Sequence, residues 1–198
     1  MPRSYPYLVI AAVVVAYFLI AAAIAISPWF NWFNNALSDL GNSSAPRNIT
    51  SGADWVFNSG LIVAGVLTAL FSVELSRDAK FSWKYLTWTV PLIVASVDLA
   101  LIGVFNESFG NIHLIVSVIF FFFTALTVFL YSYVSFPMGT PRTGAVALVF
   151  GILCASVWVV RWPWSGVAIQ EAVTSASSAA IVILVAIRII KKPEVVNS

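Results

Sequence analysis

Hydrophobic residues in this chain come in long blocks. They show neither the two-residue alternation of a half-buried strand nor the single apolar stripe of a soluble helix. Six blocks can be read, at about 7–27, 54–75, 85–105, 111–133, 144–160 and 165–190. A helix needs about 20 apolar residues to cross a hydrocarbon core of roughly 30 Å, and each block is close to that length. The pattern predicts an all-α, polytopic integral membrane protein. It is a single transmembrane domain over 1–198, a bundle of six transmembrane helices with an outer loop at 28–53. The connections at 106–110 and 161–164 are so short that the helices they join must be antiparallel neighbours. Pro91 falls inside the third block, where membrane helices tolerate proline because neighbouring groups satisfy the freed carbonyl. No internal repeat relates the first three blocks to the last three, so the inverted-repeat plan of many transporters is not expected.

Composition agrees and removes several function classes. The chain is 61% hydrophobic and 9% charged, against roughly 25% charged in soluble domains, so almost nothing is left for a soluble portion. The lipid bilayer is the expected surrounding. A formal charge of +2 without a basic, aromatic-studded patch argues against nucleic acid. Cys154 is the sole cysteine, which excludes an internal disulfide and a thiolate metal cluster. Arg3 before the first block and Ala23-Ile24-Ala25 near its end resemble a signal peptide. The apolar stretch is longer than the usual 7–15-residue signal core, so a retained span is expected.

Charge sets the orientation. Arg3, Arg77, Lys80, Lys84, Arg142, Arg188, Lys191 and Lys192 fall on one side of the six-span topology, leaving Arg47 and Arg161 on the other. The positive-inside rule then places both termini in the cytoplasm, in a multi-pass protein of the cell membrane. Asn42, Asn48 and Asn106 each begin an N-glycosylation triplet, and all three fall in outer connections.

The remaining polar residues gather toward that outer side. Asp98, Glu171, Asn58, His113 and Arg161 all lie in the outer half of their spans, near Asp39 and Glu107 of the outer connections. Ionisable groups in a bilayer are costly and tend to face the bundle interior. In the fourth span His113, Ser117, Thr124, Thr127 and Tyr131 share one helix face, and Glu171, Ser175 and Ser178 begin a similar stripe in the sixth. The two stripes are expected to face a common interior, either as packing or as the wall of a site. Arg161 either snorkels beside Trp158, Trp162 and Trp164 or turns inward to pair with Glu171 or Asp98. In the second span Gly60 and Ala64 form a small-residue contact face.

The chemistry available is narrow. One histidine excludes a His-rich zinc site and two-histidine haem, no ligand spacing enforces a metal site, and no phosphate-cradling glycine loop is present. No cofactor is expected. Ser38, His113 and a carboxylate can be drawn as a triad, but no nucleophile elbow supports it. Paired carboxylates can serve as acid and base, as proton carriers, or as the wall of a head-group site. The residues alone do not separate these.

The most distinctive segment is Asn35-Ala36-Leu37-Ser38-Asp39-Leu40-Gly41, followed by Phe57-Asn58-Ser59-Gly60-Leu61 with Gly65 beyond. With Gly103-Val104-Phe105-Asn106-Glu107, His113 and Glu171, it resembles an uncharacterised prokaryotic family of multi-pass membrane proteins known as domain of unknown function 998. The resemblance covers essentially the whole chain and implies a six-helix fold but no activity. It departs at Asn106, where the family often has proline. Its shared residues are Ser38, Asp39, Asn58, Glu107, His113 and Glu171, whereas Asp98 and Arg161 come from the physical reading alone. A more distant similarity, of topology, is to six-span eukaryotic proteins of the Sfk and DRAM type, linked to lipid organisation.

These observations lead to an expected outward-facing polar pocket, covered by the Asp39 loop, that binds a small polar ligand or lipid head group. Ser38, Asp39, Asn58, Asp98, Glu107, His113, Arg161 and Glu171 are its candidate wall. The alternatives are a membrane-embedded hydrolase or transferase acting on a lipid or lipid-linked glycan, with Asp39, Glu107, His113 and Glu171 as catalytic candidates. A small proton-coupled carrier and an accessory subunit with a membrane-complex partner complete the list.

Overall fold

The computed structural model describes residues 3–191, so Lys192 lies outside the described residues. Among these the fold is all-helical, with six helices long and apolar enough to cross a membrane packed in one bundle. They are α1 (Pro6–Ala25), α3 (Ala53–Asp78), α4 (Trp83–Val104), α5 (Asn111–Ser135), α6 (Pro141–Val159) and α7 (Ala168–Lys191). A short helix, α2 (Pro46–Ser51), and two 3-10 turns, Ser38–Gly41 and Glu107–Phe109, lie in the connections. Proline opens α1, α2 and α6, where its missing N–H has no helical partner to lose. α6 therefore starts at Pro141, before the apolar block, whereas α7 starts only at Ala168 because 160–167 runs alongside another loop.

Helices α1, α3 and α4 pack most closely. Gly65 of α3 lies so near α4 that an added Cβ would stand 2.5 Å from the Ser96 carbonyl oxygen and 2.6 Å from the Ala100 nitrogen. Gly103 of α4 meets α3 the same way, 2.6 Å from the Asn58 carbonyl oxygen. Gly60 turns instead to α1, against Leu19. Gly60 and Gly65 of α3 thus serve two different neighbours. Without a hydrophobic drive between helices in lipid, such backbone proximity is what holds them.

The core divides into two apolar clusters. At the end carrying the termini, Phe71, Leu75, Trp88, Val128, Tyr131 and Val185 are buried together. At the opposite end, here the loop end, Leu37, Leu40, Phe57, Ile102 and Ala168 do the same. Most hydroxyls on the helices bond the carbonyl one turn back, as Ser72, Ser96 and Thr127 do, so they enter the bundle without unpaired groups. At the terminal end Asp78 of α3 accepts from the Tyr5 hydroxyl at 2.6 Å and pairs with Arg3, fastening α1 to α3.

The outer loop is more ordered than a connection needs to be. Residues 26–52 fold back over the bundle, with the 3-10 turn Ser38–Gly41 lodged against α3. Asn48 is fully buried and its amide nitrogen donates to the carbonyls of Asp39, at 2.7 Å, and Asn42, at 3.0 Å. A glycan has no access to that nitrogen in the folded chain, which corrects the reading of Asn48 as a modification site. The Asn42 and Asn106 side-chain oxygens are engaged by Ser44 and Ser108 within their own triplets.

Candidate functional site

The site is built by a strap and the start of α7. The Phe33 carbonyl accepts from the Gly166 N–H at 2.8 Å, and the Asn35 carbonyl accepts from Val167 and Ala168 at 3.1 and 3.0 Å. Gly166 is required there, because a Cβ would stand 2.4 Å from the Asn35 carbonyl oxygen. One turn into α7, the Glu171 carboxylate accepts the Leu37 N–H at 2.5 Å. The strap residues preceding the 3-10 turn are thus held by backbone bonds and a carboxylate, all supplied by one helix end.

Asp39 organises the next layer. Its Oδ2 accepts from the Asn35 side-chain amide at 2.7 Å and from the Ala36 N–H at 3.0 Å. Asn58 on α3 donates to the Gly41 carbonyl at 2.9 Å, anchoring the end of the turn. Across from Asp39 stands Glu107, in the turn between α4 and α5. Ser43 bonds Asn106 at 3.2 Å and lies 3.1 Å from the Ser108 hydroxyl, so the two loops are also joined at their edges.

Glu107 and Asp39 meet as two carboxyl groups. Burial, then the Asp39 charge and a hydrogen bond to it, push the Glu107 carboxyl up to about 7, with Arg47 offsetting part of the effect. A like charge this close disfavours ionisation of Glu107. The sign of the pH dependence follows. Folded Glu107 holds its proton above the ordinary carboxyl range, so stability is greatest below that range and declines as pH rises toward about 7. Glu107→Gln is expected to unfold at a higher temperature than the native chain at pH 8 and at nearly the same temperature at pH 4. Equal shifts at both pH values, in a thermal melt in nanodiscs, would mean that Glu107 is not held protonated in the fold.

His113 opens α5 and is buried. Its Nδ1 lies 2.9 Å from the Phe105 carbonyl oxygen at the end of α4, so that nitrogen donates, and Nε2 faces the Ser117 hydroxyl at 3.3 Å. Both ring nitrogens are taken, one of them by closing a helix end. Asp98 is buried in α4 but lines neither cavity described below and has no hydrogen bond or ion pair among the described residues. Arg161 is exposed and pairs with no carboxylate among them, so the inward turn toward Glu171 or Asp98 is not what the structure shows. Asp98 and Arg161 thus stand outside the group formed by Ser38, Asp39, Glu107 and Glu171. No group of three or more His, Cys, Asp or Glu among the described residues is arranged to hold a metal ion.

Two cavities meet beneath the strap. An inner one of about 140 Å³ lies among α1, α3, α4, α5 and α7, between the two apolar clusters. The stripe residues Ser117 and Thr124 of α5 and Glu171, Ser175 and Ser178 of α7 line it, with Tyr17 of α1. An outer cleft of about 940 Å³ runs between α5 and α6. Ser38, Ser117, Phe121 and Glu171 border both. The walls are dominated by Leu, Ala, Val and Phe, with the carboxylates confined to the loop end. The stripes do share an interior, but it is an apolar chamber under a polar mouth.

The profile of a family described as "Protein of unknown function (DUF998)" matches residues 10–188, which is nearly the whole chain. The chain belongs to the DUF998 family. No curated protein and no solved structure matches it. The DUF998 match takes in every part of the site, from the strap to Glu171. Gly166 and Tyr17 are members of this DUF998 site that residue chemistry did not single out, while Asn35 stood out only as part of its segment and Asn48 only as a glycosylation candidate. Asn35 lay in view beside Asp39, but its partner is settled only by the curl of the strap. Gly166 carries no signal without the fold, because its role is to let another backbone pass.

Proposed function

We propose that this DUF998 protein binds an amphiphile at the loop end of its bundle, with the polar head under the strap and the apolar part in the cavities below. The distribution of Lys and Arg supports an outward orientation of that end in the cell membrane. One observation carries the reading: Glu171 and Ser38 sit on the wall shared by two largely apolar cavities, and Glu107 joins them at the outer one. Ligand sites are typically apolar chambers with a few placed polar groups. A small polar ligand without a tail would leave most of this lining uncovered.

Two features weigh against the alternatives. The enzyme reading pairs His113 with Asp39 or Glu171, whereas its ring contacts are the Phe105 carbonyl and the Ser117 hydroxyl. A carrier needs a route to the other face, yet the terminal end is filled by Phe71, Leu75, Trp88 and Tyr131.

The test is retention of small molecules on the purified protein, read by native mass spectrometry from nanodiscs. The native chain is expected to carry a bound amphiphile. Ser117→Phe, which fills the shared wall, should lose it while keeping a cooperative melt. Equal retention by a folded Ser117→Phe variant would overturn the proposal.

A further inference from the structure

The outer cleft is long, closed at one end and charged at the other. Its α5 wall runs from Asn111 to Phe129, about 27 Å along a helix that rises roughly 1.5 Å per residue. That exceeds one leaflet of a hydrocarbon core roughly 30 Å thick. Leu114, Val118, Phe122 and Leu126 form this wall, and Cys154 and Trp158 of α6 face them. The distant end is shut where Phe129 packs on Gly151, so closely that an added Cβ would lie 2.9 Å from the ring. Leu114, Val118 and Phe122 are among the exposed side chains of α5, so the cleft faces the acyl chains of the bilayer and a tail enters it sideways.

At the loop end the hydrogen-bonding groups are almost all spoken for. Glu171 Oε2 accepts from the strap, Asp39 Oδ2 accepts from Asn35 and Ala36, and both His113 nitrogens are engaged. Buried polar atoms of Asn58, Asp54 and Gln170 also lack partners, but those residues line neither cavity, whereas Glu107 lines the cleft and its buried Oε2 has no amide, amine or hydroxyl donor. Three carboxylates, Asp39, Glu107 and Glu171, interact here, and the cation among their neighbours, Arg47, lies 3.7 Å from the centre of the Trp29 ring. What the cleft lacks is a donor with positive charge. A phosphate or carboxylate head would add an anion to that group.

Resting on the amphiphile reading above, we infer that the occupant of the α5–α6 cleft is an amphiphile with an ammonium head and a long alkyl chain, its nitrogen donating to Glu107. The chain lies along α5 toward Phe129, and the strap covers the head.

The experiment uses the full chain in phosphatidylcholine nanodiscs with hexadecylammonium, hexadecanol and hexadecanoate offered at equal mole fraction, read as occupancy by native mass spectrometry at pH 8. Hydrogen bonds to charged groups are worth enough for a factor of about ten or more. The ammonium is therefore expected to exceed the other two about ten-fold, and Glu107→Gln to remove that preference while leaving hexadecanol unchanged. Ala155→Trp, a lipid-facing change that fills the cleft, should abolish occupancy by all three. Equal occupancy by hexadecanol or hexadecanoate, with loss of all three on Ala155→Trp, would overturn the ammonium assignment and leave the amphiphile site standing. Occupancy unmoved by both Ala155→Trp and Ser117→Phe would overturn the amphiphile site itself.

Discussion

Glu171→Ala is expected to destabilise the protein by about 2 kcal/mol and to free the segment around residues 36–41, since leaving a buried donor unsatisfied costs roughly 1–3 kcal/mol. Its carboxylate is the acceptor for the Leu37 backbone N–H. Leu37 is buried in the loop-end cluster, so its N–H would have no water to turn to. The strap would not detach altogether, since Gly166, Val167 and Ala168 still donate to Phe33 and Asn35. Glu171→Gln keeps one acceptor oxygen and should show about half the effect. Hydrogen exchange of the intact protein in nanodiscs distinguishes these outcomes: protection at 36–41 should fall in the alanine variant while protection in α3 and α4 persists. Unchanged protection at Leu37 and Ser38 would mean that the carboxylate does not hold the strap.

That expectation shows how unevenly the sequence disclosed the site. The six helices were legible because their cause is local: a run of about 20 apolar residues can satisfy its own backbone in lipid only as a helix. Ser38, Asp39, Glu107 and Glu171 were legible as a group because charge near a membrane is costly wherever it stands. Their bonds were not. Nothing in the spacing of 134 residues between Leu37 and Glu171 announces a carboxylate bound to a backbone N–H. Asn48 was misread for the same reason, since its triplet is local while its burial depends on the turn it clamps. His113 looked like chemistry by composition, and the fold gives it the end of α4 to close. Arg161 and Asp98 shared the outer half with the site and not its direction, because depth in a bundle says nothing of the face a residue occupies.

The largest effect belongs to a residue with no side chain. Gly65→Val is expected to prevent a monodisperse, cooperatively melting protein from forming. The Cβ position at Gly65 is met by the Ser96 carbonyl oxygen at 2.5 Å and the Ala100 nitrogen at 2.6 Å. Both are backbone atoms of a helix and neither can swing aside, so α3 and α4 would have to separate. Overpacking typically costs about 1–3 kcal/mol where side chains can yield, and here the cost should exceed that range. Separation would also reach the site. Gly103 faces the Asn58 carbonyl at the same crossing, and Asn58 holds the strap through Gly41. Gly65→Ala should therefore fold with a lowered melting temperature and weakened protection at Gly41, a coupling that a purely local defect would not produce. Gly151→Ala is the comparison: its Cβ would meet the Phe129 ring at 2.9 Å, an obstacle that can turn away. It should cost far less and leave Gly41 protected. If Gly65→Val and Gly151→Ala melt alike, close backbone approach is not what assembles α3 on α4.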